Sequence, residues 1–94
     1  MSVQNLVDKM TPELNEIFAA WQKDGKIKNF GNIESQVIAL CQKHGLGDHF
    51  ESLHRRPFVL KILDGNERIC VKYSSKFPTI FYEDVPQSGP GMNI

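Results

Sequence analysis

Residues Pro57–Tyr73, PFVLKILDGNERICVKY, decide the fold. Place Gly65-Asn66 in a loop and set Asp64 opposite Glu67. Ile62 then falls opposite Ile69, Leu60 opposite Val71, and Phe58 opposite Tyr73. Each pair is apolar, and all three lie on one face because strand side chains alternate. A slip of one residue would set Leu60 and Ile62 against Arg68, Cys70 and Lys72, so the pattern specifies the register. Gly followed by Asn suits a type II′ turn, which requires φ > 0 at its first central residue. A β-hairpin is therefore expected here.

Working outward, Ser74-Ser75-Lys76 reads as a turn. Thr79-Ile80-Phe81-Tyr82, opened by Pro78, reads as a third strand of β-branched and aromatic residues. Glu83-Asp84 reads as a solvated strand end. Residues 86–94, rich in Pro, Gly and Ser, have the composition of a tail.

Upstream, Val3, Leu6, Val7 and Met10 follow helical spacing, and Leu14, Ile17, Phe18 and Trp21 continue the apolar stripe. Thr11-Pro12-Glu13 resembles a helix start between them. The expectation is two helices meeting near Thr11 or one kinked helix, ending by Asp24-Gly25. Lys26–Phe30 reads as a loop or very short strand. Asn32 is a candidate cap for a helix whose buried stripe is Ile33, Val37, Leu40 and Cys41. Gly45 closes that helix, with Leu46 placed for the apolar contact of a Schellman stop. Asp48-His49-Phe50-Glu51 resembles a capping box, so a short helix is expected to Leu53 or His54. Pro57 then forces extension.

The expected fold is α+β: N-terminal helices packed on a three-stranded antiparallel meander, over residues 1–85. The 94 residues and 40% hydrophobic content fit one core. Net charge is zero, from 11 basic and 11 acidic residues. That balance argues against a chain that simply coats nucleic acid or an anionic membrane, since such affinity comes from many Lys/Arg–phosphate contacts. The first ten residues lack a basic-then-apolar signal pattern, and no stretch approaches the roughly 18–20 apolar residues of a membrane span. With two cysteines, Cys41 and Cys70, the expectation is a cytoplasmic protein with reduced thiols and no cofactor.

Three constellations invite a chemical reading. The element order is that of a winged helix-turn-helix, with Asp48–His54 as recognition helix and Pro57–Tyr73 as wing. Arg55, Arg56, Lys61, Arg68 and Lys72 would then reach nucleic acid. Against this, the candidate recognition helix is short and carries Asp48 and Glu51, and the wing tip is acidic. The likeness is one of element order only, and no family signature stands out. Cys41, His44, His49 and His54, with Cys70 to spare, suggest zinc. Helical spacing would make the last two histidines diverge, and Cys41 sits on an apolar stripe. For a nucleophile, Cys70 lies beside Lys61 on the polar face, yet a lone exposed cysteine is usually inert. No GxSxG, P-loop, GxGxxG or HExxH occurs, so no enzyme is expected.

The remaining handle is a surface. The second face of the hairpin, with Val59, Leu63 and Phe81, is apolar for a solvated face. Either the N-terminal helix covers it or a partner protein does. The leading expectation is a small non-enzymatic protein-binding module: an inhibitor, adaptor or regulatory subunit. Its contact region joins Ile80, Phe81 and Tyr82 on the last strand to a basic corner of Arg55, Arg56 and Lys76. The alternative is a winged-helix nucleic-acid-binding regulator.

Overall fold

A computed structural model describes residues 2–23, 30–74 and 78–85. The order is α1 (Val3–Lys23), α2 (Phe30–Lys43), β1 (Phe50–His54), β2 (Phe58–Asp64), β3 (Glu67–Tyr73) and β4 (Pro78–Asp84). The strands form one antiparallel sheet in the order β1-β2-β3-β4. The class is α+β, with four strands where the sequence led us to expect three.

The hairpin has the expected register. Phe58 pairs with Tyr73, Leu60 with Val71, Ile62 with Ile69 and Asp64 with Glu67. Gly65 takes φ +63°, the left-handed region its turn demands.

α1 is continuous through Pro12. Thr11 does not cap a new helix. Its hydroxyl donates back to the Val7 carbonyl at 2.8 Å. The cap is Ser2, whose hydroxyl accepts from the Asn5 N–H. Val7, Met10, Leu14, Phe18 and Trp21 are buried at steps of three and four. α2 begins at Phe30, so Asn32 lies within the helix instead of capping it. It ends as a Schellman motif: Leu46 N–H donates to the Cys41 carbonyl, Gly45 N–H to that of Gln42, and Gly45 has φ +78°. Leu46 is fully buried.

The main correction falls on residues 48–54. The expected short helix is β1, paired with β2. A bulge between Phe50 and Ser52 explains the misreading. An extra residue in one strand resets its alternation. Phe50 and Leu53, three apart, therefore both reach the core, as they would on a helix. With this strand in place, the winged-helix order loses its recognition helix.

The helices cover one face of the sheet. Phe58, Leu60, Ile62, Ile69, Val71 and Tyr73 share a core with both helices. Phe18 stacks on Tyr73 and meets Phe58 edge-on, with ring centroids 4.4 and 5.0 Å apart. The Tyr73 hydroxyl donates to Asn15 Oδ1. Between the two helices, Lys43 at the end of α2 binds Glu13 at 3.0 Å. Among the described residues, no helix is long and apolar enough to cross a membrane. The readings of Lys26–Asn29, of Ser75-Lys76 and of the tail 86–94 fall outside the described residues.

Candidate binding surface

Alternation sends the other half of each strand to the opposite face. Three rows cross it: His54, Val59, Lys72 and Thr79; then Ser52, Lys61, Cys70 and Phe81; then Leu63, Arg68 and Glu83. Val59 and Cys70 are buried, yet both stand outside the cluster that joins the helices to the sheet. α1 packs on the face opposite Phe81, so the alternative in which the N-terminal helix covers this second face does not hold.

The side chains of this open face provide their own cover at one end. The bulge turns Glu51 toward Arg68, which reaches past β2 to grip it with two arms, Nε–Oε1 at 2.6 Å and Nη2–Oε2 at 2.9 Å. Arg68 Nη1 also meets Glu83 at 3.3 Å. Hydrogen bonding to Arg68 holds the Glu51 carboxyl below the usual carboxylate range. Glu83 is lowered too, by the Cys70 thiol and then by Arg68. Sequence reading missed this network because its Glu51 end requires β1. The Arg68–Glu83 end could have been found by pairing β3 with β4.

Cys70 is fully buried, where the sequence suggested exposure. Burial pushes its thiol up to about 11, with Glu83 adding to the rise, and Lys61 is too weak to reverse it. Cys41 is likewise pushed up to about 11 by burial, its sulfur 3.8 Å from that of Met10. Both cysteines are free thiols. His49 Nδ1 lies 2.9 Å from the Leu63 carbonyl, extending the β1–β2 pairing past the bulge. Among the described residues, no three His, Cys, Asp or Glu side chains converge to hold a metal.

The other end of the open face is a depression of about 240 Å³. Its apolar lining is Pro57, Val59 and Phe81, and its charged lining is Arg56, Lys61, Lys72 and Glu83, with His54 beside them. Arg55 and Arg56 also border a second depression of about 280 Å³ at the same corner, on the helix side, with Trp21 and Phe58.

The expected contact residues thus divide. Arg56 and Phe81 border the same depression on the open face. Ile80 and Tyr82 turn to the helix side, opposite Val71 and Ile69. Ile80 packs partly against the core, whereas Tyr82 is 48% exposed. Arg55 is exposed at the β1–β2 turn, where the Arg56–Pro57 peptide is cis. Lys76 lies outside the described residues. Lys61, Lys72, His54 and Val59 border the same depression; Val59 was expected on this face, and Lys61 and Lys72 were expected only as nucleic-acid contacts. β4 is an edge strand of seven residues, and among those described its outer edge has no partner strand. β1, the opposite edge, is shorter and bulged. Comparison of the chain with protein-family models, curated proteins and solved structures finds no match.

Proposed function

We propose that the protein is a small non-enzymatic protein-binding module, an inhibitor, adaptor or regulatory subunit. It engages its partner through the β4 edge and the basic corner at the β1–β2 turn. The observation that carries this reading is β4 itself. Among the described residues its outer edge pairs with no other strand, and it carries the exposed Tyr82 ring. An unpaired edge accepts a partner strand, and tyrosine is enriched at interface centres. Arg55 and Arg56 supply charge that steers an acidic partner. The competing nucleic-acid reading keeps the basic corner but loses its expected recognition helix at residues 48–54, where β1 lies. A cytoplasmic location accompanies the proposal, supported by the two free, buried thiols.

The test is affinity capture by the wild type, by Tyr82→Ser and by the double variant Arg55→Glu, Arg56→Glu, with melting temperatures measured alongside. The reading expects one protein to be retained by the wild type and lost from at least one variant that melts normally. Retention of nucleic acid alone, or of the same protein by all three, overturns it.

A further inference from the structure

Charge accounting on the open face separates its two ends. Glu51, Arg68 and Glu83 satisfy one another. Lys61 feels Glu51 and Glu83 at longer range, but Arg56, Lys61 and Lys72 form no ion pair with a described residue. These three cations border the same depression as Val59 and Phe81. Resting on the binding-module reading, we propose that this depression anchors an acidic segment of the partner protein: Asp or Glu side chains held by Arg56, Lys61 and Lys72, on the side away from Glu83, beside an apolar side chain laid on Pro57 and Phe81.

Two observations select an acidic peptide over a nucleic acid. The cationic patch is short: Glu83 already borders the depression at one side, and the Glu51–Arg68 pair lies beyond it. A phosphate chain, with its evenly repeated charge, would run onto those carboxylates, whereas a peptide can place its charges at one end only. The apolar lining also matters. The exposed Pro57 and half-buried Phe81, over the buried Val59, offer contact area that a peptide side chain fills and a phosphate backbone does not use. Arg56 stands at the turn, and Lys61 and Lys72 lie on adjacent strands with Val59 paired to Lys72. The charges therefore surround an apolar centre, the usual arrangement of a binding anchor.

The experiment uses the full chain, labelled with nitrogen-15, and a short acetylated and amidated peptide of glutamates around one leucine and one phenylalanine. Its glutamine and lysine counterparts and an oligothymidine serve as the other arms. The glutamate peptide is expected to shift amides around Val59, Lys61, Lys72 and Phe81 and leave those of α2 unmoved. At about 150 mM salt its affinity should exceed that of the glutamine peptide by about tenfold. Lys61→Glu with Lys72→Glu should abolish the shifts. Arg56→Glu, at the exposed turn, provides the same test should that double variant fail to fold. Absent or scattered shifts, equal binding of the glutamine peptide, or tighter binding of oligothymidine at these residues would each overturn the inference. The two proposals fail separately. A partner that is lost with Tyr82→Ser but indifferent to Lys61→Glu and Lys72→Glu removes the acidic anchor and leaves the β4 interface standing.

Discussion

On the side of the sheet turned to the helices, Leu60, Ile62, Ile69 and Val71 are buried under Met10, Leu14, Phe18 and the α2 stripe. On the other side Cys70 is buried just as fully, beneath neighbours on its own strands: Phe81 opposite it and the Arg68–Glu83 pair beside it. The first face gains its stability from apolar area removed from water and from close packing. The second holds a few apolar residues under long charged side chains whose stems do the covering. Adjacent residues of one strand should therefore respond to substitution in opposite ways. The packed face should tolerate almost nothing, and the open face should tolerate much.

The sharpest way to break this comparison is Ile62→Lys against Lys61→Ile. Ile62 is fully buried opposite Ile69, and a lysine there has no partner for its charge. The expected loss is several kcal/mol, a large part of the ~5–15 kcal/mol that holds a domain of this kind together. Lys61→Ile, one residue away on the open face, should change stability little. Urea denaturation of both variants checks this, and the reverse order of midpoints would mean that the two faces have been interchanged. Next in size is Phe18→Ala against Phe81→Ala. Phe18 touches Trp21, Phe58 and Tyr73 in the aromatic cluster, so its truncation should cost about 3–5 kcal/mol. Phe81 is only half-buried and should cost roughly 1 kcal/mol. Equal losses would show that the open face is as tightly packed as the core.

What could be read in the sequence follows the same division. The hairpin register was legible because Phe58, Leu60 and Ile62 recur at every second position opposite Tyr73, Val71 and Ile69, and a slip of one would set Leu60 and Ile62 against polar residues. The α2 stop was legible because Gly45 and Leu46 have position-specific jobs. β1 was not, because its bulge gives Phe50 and Leu53 the spacing of a helix, while Asp48 and Glu51 imitate a cap. From that one error followed the recognition helix, the missing strand and the missed Glu51–Arg68 pair. The candidate site was half legible. Arg56 and Phe81 do border the same depression. Ile80, Phe81 and Tyr82 cannot share a face, since consecutive strand residues point apart. Lys61 and Lys72 were seen as charges on a hairpin, but their convergence with Arg56 depends on the turn geometry.

The two thiols sharpen the comparison further. Both are buried and both are pushed up to about 11, so neither should alkylate readily near neutral pH. Their covers differ. Cys41 lies in the helix–sheet core, whereas Cys70 faces Phe81 directly across the β3–β4 pairing. In Phe81→Ala the iodoacetamide labelling of Cys70, followed by mass spectrometry under native conditions, should quicken several-fold while that of Cys41 stays unchanged. Faster labelling of Cys41 would mean that the core opens before the open face does.

The smallest effect concerns acid. Two carboxylates on the open face, Glu51 and Glu83, are held below the usual range, and one on the helix side, Glu13, is lowered chiefly by Lys43. A carboxyl lowered on folding favours the folded state while ionised. That contribution is complete above the unfolded value of 4.5, declines as pH falls below it, and is gone once pH passes beneath the lowered folded value. All three groups should therefore steepen the acid limb of the stability curve, but unequally. Lys43 and Glu13 are well exposed, at 65% and 40%, and pairs of that kind contribute little. Glu51 takes both arms of Arg68, with only 28% and 18% of their side chains exposed. Glu51→Gln should lower the melting temperature by a few degrees at neutral pH, and the gap should close as the pH drops well below 4.5. Glu13→Gln should follow the wild type closely at every pH. Melting curves over a pH series separate the two. If Glu51→Gln runs parallel to the wild type throughout, the Arg68 clamp contributes nothing, and the apolar residues of the open face hold together without it.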